Sequence, residues 1–235
     1  MDGTRLTFGF EGIWQGTAVL YDHQTNSLWM HVTGRCIHGK HKGVVLERLP
    51  TGRHTTWQDW RASHPRTDAM APEKRWMDRP ADQGYFPREG SRSGDPYLPP
   101  TFTPTIQTRD DRLALGDLVY GIEVGDVARA YPFRRLESAG FVAEVVAGVP
   151  VTVWFDRASR SAAAFDARVD GTTLTFARNE AGAIHDVQTK SLWTMEGLCV
   201  QGTHAGVQLK ALRGLMAEWY GWYANHPKTT IWRQY

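Results

Sequence analysis

The stretch YDHQTNSLW at 21–29 recurs almost unchanged as HDVQTKSLW at 185–193. Three further pairs follow the same order along the chain, and the offset between the two members of each pair stays nearly constant. In the first half they are DGTRLTF, GRCIHGKHKGVVLERL and TTWQDWRASHPRT, and in the second half DGTTLTF, GLCVQGTHAGVQLKAL and AEWYGWYANHPKT. Chance does not produce four collinear matches, so we expect two related repeats, each far longer than a solenoid unit.

The repeats predict a mainly β protein, a β-rich α+β fold with short helices. Alternating apolar and polar residues in TRLTFGF and TTLTFAR are typical of strands. Tryptophans three residues apart, at Trp57 and Trp60 and again at Trp219 and Trp222, favour a short amphipathic helix near the C-terminal end of each repeat. We expect the two repeats to pack about a pseudo-two-fold axis.

The chain divides by pattern into three parts. We expect a partial first repeat at 1–69, an irregular Pro- and Gly-rich connection at 70–111 and a complete second repeat at 112–235. Within the second repeat, hairpin turns are predicted at Gly125-Asp126, Ala147-Gly148 and Asp170-Gly171.

The first repeat begins at the turn of the third hairpin, since Asp2-Gly3 matches Asp170-Gly171. A strand at 4–10 would then lack the partner that its counterpart is predicted to have at 162–169. An unpaired strand edge readily recruits another strand. We therefore expect the partner to come from the other repeat, from a second chain in a homo-oligomer or from further residues upstream of Met1 in the natural protein. The alternative is that the connection at 70–111 covers the edge.

Composition excludes several classes of protein. A net charge of +2, with 27 basic and 25 acidic residues, gives no basic surface for nucleic acid. No apolar run is long enough for a transmembrane helix. The start has no secretory signal, which predicts a cytoplasmic protein if Met1 is the natural start and an extracytoplasmic one if it is not. The two cysteines, Cys36 and Cys199, are too few for a disulfide framework.

The ordered strings GIEVGDVARAYPF, GVPVTVWFD, DGTTLTF, QTKSLW and HPKT resemble the bacterial DUF3179 family, a domain of unknown function, and the first half is similar to the same family. The resemblance implies a Cys-x-x-Cys and a His-Glu pair in the family's first repeat, upstream of this start. In the second repeat Asp156 and Ser159 occupy the cysteine positions, and Ala139 and Gly140 occupy those of the His-Glu pair. The family's most reactive groups therefore do not carry over to this chain.

A cluster of soft ligands remains in the first repeat, where HVTGRCIHGKHKG contains His31, Cys36, His38 and His41. Thiolate and imidazole together suit zinc or copper, and in a strand Cys36 and His38 would share one face. The alternative is a surface loop with a half-buried cysteine, because the spacing matches no zinc-finger pattern.

Other candidates have competing structural explanations. His64 and His226 stand in the HP motif of each repeat, where a histidine can cap a helix C-terminus. Asp156 and Asp166 could serve as general acid and base, or could lie in solvated turns. The D-x-Q-T motifs suggest Asx turns more than ligand sites.

The sequence contains no phosphate-binding loop, serine nucleophile elbow or zinc-protease motif. We therefore expect a non-catalytic scaffold or ligand-binding β module, and leave open whether the protein is an enzyme. One alternative is a metal- or thiol-dependent protein that uses the Cys/His cluster. Another is a small-molecule enzyme with a tryptophan-lined cleft between the repeats.

Overall fold

The computed structural model of the chain describes residues 3–47, 55–69 and 103–233. The mainly β prediction is confirmed, since the described part contains five sheets and three short α-helices. The strands are β1 Phe8–Trp14, β2 Thr17–Asp22, β3 Leu28–Met30, β4 Cys36–His38, β5 Leu118–Val124, β6 Val127–Pro132, β7 Phe141–Val146, β8 Val149–Asp156, β9 Ser161–Asp166, β10 Arg168–Val169, β11 Thr172–Thr173, β12 Phe176–Arg178, β13 Ile184–Asp186, β14 Leu192–Trp193, β15 Cys199–Gln201, β16 Arg213–Glu218 and β17 Thr230–Ile231. The helices are α1 Trp57–Ser63, α2 Phe133–Ala139 and α3 Trp219–Asn225.

The described residues fall into two compact units. One contains 3–47, 103–117 and 217–228, and the other contains 55–69, 118–216 and 229–233. These units are groups of residues in contact and not sequence repeats. They therefore do not test the predicted repeat boundaries at 69 and 111, which stay predictions. Most of the predicted connection, residues 70–102, lies outside the described residues.

The first unit is built on a four-stranded sheet in the order β1-β2-β3-β4. Strand β1 pairs antiparallel with β2, from Phe8 opposite Asp22 to Trp14 opposite Thr17, with a bulge between Phe10 and Gly12. A second bulge lies in β4, where Ile37 is the extra residue between His38, opposite Leu28, and Cys36, opposite Trp29.

The second unit contains a sheet of the same order, β12-β13-β14-β15. Val200 is the extra residue of a bulge in β15, opposite Leu192 and Trp193, at the place that corresponds to Ile37 in β4. Sheets β16-β5-β6-β17 and β7-β8-β9 complete this unit, together with the two-stranded β10-β11.

Two predicted hairpins are confirmed in full. Gly125-Asp126 joins β5 to β6, and Ala147-Gly148 joins β7 to β8, with antiparallel pairing along both hairpins. At the second turn Ala147 and Gly148 have φ of 48° and 78°, which suits the type I′ turn that matches strand twist.

The third hairpin was predicted too long. Asp170 and Gly171 do form its turn, with φ of 48° and 79°, but only Arg168–Val169 pairs with Thr172–Thr173. Strand β9 pairs with β8 instead, and β12 pairs with β13. In the second repeat the arm expected at 162–169 is therefore reduced to Arg168–Val169, and both β1 and β12 pair with the strand that follows them.

The predicted helices at the tryptophan pairs are α1 and α3. Each ends at a histidine, His64 or His226, whose backbone N–H bonds a carbonyl of the last turn. The imidazole of His64 stacks on Trp60 with ring centres 4.1 Å apart, and that of His226 stacks on Trp222 at 3.9 Å. The prolines that follow, Pro65 and Pro227, exclude the α conformation at the preceding histidine.

The second unit has two apolar cores. One is centred on Ile122, Tyr131 and Leu136, which are fully buried. The other surrounds Trp154, whose ring lies 4.8 Å from that of Phe165 and 4.9 Å from that of Phe176. In the part of the chain that the structure describes, no helix is long and apolar enough to span a bilayer.

Candidate functional site

A buried carboxylate organises the YDHQTNSLW segment. The side chain of Asp22 is completely buried and accepts hydrogen bonds from the Thr25 N–H (2.5 Å), the Thr25 hydroxyl (2.8 Å) and the Trp29 indole N–H (2.9 Å). Burial alone would raise the pKa of Asp22, but the bonds from Trp29, Thr25 and Ser27 outweigh it and lower the pKa to about 2.

Asp186 has the same environment in HDVQTKSLW. It accepts from the Thr189 N–H (2.6 Å), the Thr189 hydroxyl (2.9 Å) and the Trp193 indole (3.1 Å). Burial opposes ionisation here too, yet the bonds from Thr189 and Trp193 and the proximity of His204 lower the pKa of Asp186. The side-chain hydrogen bonds of both aspartates are made inside their motifs, so these aspartates hold a loop.

The predicted metal ligands are placed in different environments. Cys36 is buried, with its thiol 3.1 Å from the carbonyl oxygen of His38, whereas the side chains of His31 and His38 are exposed. Burial raises the pKa of the Cys36 thiol, which disfavours the thiolate that binds metals. Among residues 3–47, 55–69 and 103–233, no three or more His, Cys, Asp or Glu side chains form a group that could hold a metal ion. The Cys36, His38, His41 and His31 set therefore gains no support from the structure.

The structure places the other residues proposed from the sequence in separate environments as well. His64 and His226 lie at helix ends against tryptophan rings, as described above. Asp166 is buried and bonded to Arg168, at 2.9 Å and 2.6 Å. Those bonds lower its pKa, which leaves a carboxylate that is poorly suited to proton transfer near neutral pH.

Asp156 is the sequence candidate that lies in a cleft. The cleft is within the second unit and has a volume of about 590 Å³, in the range of roughly 300–1,000 Å³ typical of small-molecule sites. Its lining comes from the end of α2, the ends of β7 and β8, and the segment that starts at β12. The lining residues are Ala139, Gly140, Phe141, Phe155, Asp156, Arg157, Ala158, Phe176, Ala177, Arg178 and Gly182.

Two arginines dominate the polar part of the cleft. The Arg178 guanidinium donates to the Gly182 carbonyl at 2.8 Å, lies 3.5 Å from Asp156 and covers the ring of Phe141 at 5.8 Å. Arg157 donates to the carbonyls of Glu137 and Ser138 at 2.6 Å and 3.2 Å. These carbonyls belong to the last turn of α2, where the helix end attracts a cation.

The carboxylate opposite them is held in place by its own loop. Ser159 donates to Asp156 from both its hydroxyl, at 2.5 Å, and its N–H, at 3.2 Å. Asp156 and Arg178 remain partly exposed, at 26% and 34% of their side-chain surface. The cleft thus combines exposed guanidinium donors with an aromatic wall.

Sequence reasoning identified Asp156 but missed Arg157, Arg178 and Phe141. Phe141, Arg157 and Arg178 are well separated from one another in the sequence, and nothing in their spacing indicates a shared site. The available signal was indirect, because Ala139, Gly140 and Asp156 occupy the positions at which the family resemblance places its reactive groups. The structure brings those positions to one cleft.

The fold and cleft define a β-rich protein with a ligand-sized depression and no recognisable catalytic apparatus among its described residues. A family model described as "Protein of unknown function (DUF3179)" matches residues 1–229. The chain belongs to the DUF3179 family. No curated protein shows significant similarity to it, and no solved structure does.

Proposed function

We propose that the protein is a non-catalytic ligand-binding β module whose cleft takes a small organic anion with an aromatic or other apolar part. The observation that carries the proposal is the pair of guanidinium groups, Arg157 and Arg178, at one cleft beside Phe141. A guanidinium has five N–H donors in a planar fork. Arg178 uses some of them on Gly182 and Met195, and Arg157 uses some on Glu137 and Ser138, so donors remain on both. A carboxylate or phosphate suits that geometry.

Asp156 lowers the affinity of this site for an anion. Its carboxylate lies 3.5 Å from Arg178 and would compete with an incoming anion for the same guanidinium. Because Ser159 holds Asp156 in place, the competition is built into the site and predicts weak to moderate affinity. Neutralising Asp156 should therefore strengthen anion binding, whereas removing Arg178 should weaken it.

Calorimetric titration with phenyl phosphate, benzoate and the neutral control benzyl alcohol tests the proposal. We expect the two anions to bind and benzyl alcohol to bind at least about tenfold more weakly. Arg178→Met should lower the affinity for phenyl phosphate and Asp156→Asn should raise it, while Arg213→Met, at an exposed arginine outside the cleft, should leave it unchanged. Equal binding of all three probes, or no effect of Arg178→Met, would overturn the proposal.

We further propose that the chain arose by internal duplication. The matched sequence pairs support it, as do the corresponding hydrogen bonds of Asp22 and Asp186. The matching bulges at Ile37 and Val200 support it too. On this proposal the anion cleft lies in the second copy.

A further inference from the structure

Strand β1 forms one edge of the β1-β2-β3-β4 sheet, and among the described residues its pairing is with β2. It is seven residues long and unusually apolar for an edge. Phe8, Phe10 and Trp14 are 38%, 62% and 47% exposed. The corresponding strand β12 has three residues, and its Phe176 is 5% exposed. Long apolar edges favour pairing with another chain.

The direction of the backbone groups defines which residues of β1 can pair. The carbonyl of Thr7 accepts from the His23 N–H at 2.9 Å, and its N–H donates to Gln24, so both groups of Thr7 face β2 and the turn that follows it. Backbone groups alternate between the two sides of a strand. The N–H and C=O groups of Phe8 and Phe10 therefore point away from β2, toward the outer edge of the sheet.

Charge selects one arrangement of a second strand at that edge. When two copies of residues 5–11, which include the start of β1, pair antiparallel about a two-fold axis at Phe8, Leu6 lies opposite Phe10. Arg5 then lies opposite Glu11, the extra residue at the bulge of β1. Leu6, Phe8 and Phe10 have outward backbone groups, so these become hydrogen-bonded pairs. Arg5 and Glu11 are both exposed, and the symmetry produces two such opposite-charge pairs.

We propose that β1 is a homodimer interface, in which two copies of the chain pair antiparallel through β1 with Phe8 on the two-fold axis. The occupant of the edge is a second copy because the strand is complementary to itself in both charge and apolar residues. This surface is independent of the anion cleft, which lies in the other unit.

Light scattering coupled to size-exclusion chromatography measures the association. The wild-type protein should be a dimer in the micromolar range. Glu11→Arg should place like charges opposite each other and raise the dissociation constant by about tenfold or more. The double variant Arg5→Glu/Glu11→Arg restores opposite charges and should restore the dimer. A wild-type chain that stays monomeric at high concentration would overturn the proposal.

Thiol cross-linking tests the register. With the axis at Phe8, Phe8→Cys places two thiols opposite each other, and a short bifunctional thiol reagent should link the copies. Phe10→Cys is the matched control, because it would face Leu6 and should link much less. The native Cys36 and Cys199 are buried and should not interfere. Preferential linking through Phe10→Cys would refute the register.

Discussion

Asp22 and Asp186 show how one buried side chain can hold a loop in a defined conformation. Each is fully buried. Each accepts hydrogen bonds from the threonine three residues later in the turn and from a tryptophan indole on the next strand. Since several donors converge on one carboxylate, removal of the carboxylate leaves buried N–H and O–H groups without an acceptor, which costs more than the bonds themselves contribute.

We therefore expect Asp22→Ala and Asp186→Ala each to lower the free energy of unfolding by about 3 kcal/mol. Asp126→Ala, in the exposed turn between β5 and β6, should change it by less than about 0.5 kcal/mol. Urea denaturation of the three variants measures the difference. A cost at Asp22 or Asp186 no larger than that at Asp126 would contradict the role given to the buried network.

The same carboxylates predict acid sensitivity. The pKa of Asp22 is lowered to about 2 from an ordinary value of 3.8, and that of Asp186 is also lowered. A lowered pKa in the folded state stabilises the protein fully above the unfolded value, and this stabilisation is lost as the pH falls through the folded value. The free energy of unfolding should thus decrease by about 2 kcal/mol for Asp22 alone between pH 5 and pH 2.

Denaturation series at several pH values test this expectation. Asp22→Asn removes the titrating group, so its stability should depend less on pH in that window than the stability of the wild type. An unchanged slope in the variant would show that other groups cause the acid sensitivity.

At the scale of the elements, glycine positions enforce the tight loops that follow β4 and β15. Gly39 and Gly202 have φ of 93° and 104°, and a Cβ on either would lie 2.7 Å from the Cα of the serine beneath it, Ser27 or Ser191. Gly206, in the same loop as Gly202, has φ of 88° but open space around it. A side chain at Gly206 would therefore cause backbone strain alone, whereas one at Gly202 would cause both backbone strain and a steric clash with Ser191.

Gly206→Ala should cost about 1–2 kcal/mol, because its backbone strain is the sole penalty. Gly202→Ala should cost more, about 3 kcal/mol or above, since the contact is with backbone that cannot move aside without breaking the β14–β15 pairing. Urea midpoints of the two variants provide the comparison. Equal costs would mean that the loop relaxes around the added methyl group.

The sequence predicted the elements better than their pairing. Turns at Gly125-Asp126 and Ala147-Gly148 were predictable because adjacent apolar strands and a turn dipeptide encode a hairpin locally. The pairing of β9 with β8 was not, because residues 162–166 are apolar enough to pair on either side, and the burial of Trp154 against Phe165 decides between them.

The candidate site was predictable only in part, for a physical reason. Asp156 was identifiable as one of two carboxylates that could serve as acid and base. Arg157, in the turn after β8, and Arg178, at the end of β12, meet at the cleft only through tertiary packing.

The predicted metal site at Cys36 and His38 gained no support because local pairing geometry differs from that of a regular strand. Regular alternation would place Cys36 and His38 on one face of the strand. Ile37 between them is the extra residue of a bulge, however, and Cys36 is buried whereas the side chain of His38 is exposed.

At the scale of the whole second unit, an ion pair joins the β16-β5-β6-β17 sheet to the β7-β8-β9 sheet. Arg129 on β6 donates to Glu144 on β7 at 3.1 Å and 2.7 Å, and also bonds Thr230 on β17 at 3.1 Å. Both side chains of the ion pair are about four-fifths buried, with 21% and 19% exposed. Burial, followed by the charge of Glu144, raises the pKa of the neighbouring Tyr131, so this phenol stays neutral beside the ion pair.

Because a partly buried charge without its partner is costly, Glu144→Ala should lower the free energy of unfolding by about 3 kcal/mol. The double variant Arg129→Met/Glu144→Leu removes both charges and replaces them with apolar groups, so we expect it to be more stable than Glu144→Ala. Urea denaturation of the wild type, the single variant and the double variant decides the matter. If the double variant is the least stable of the three, the pair is a net source of stability that apolar packing between β6 and β7 does not replace.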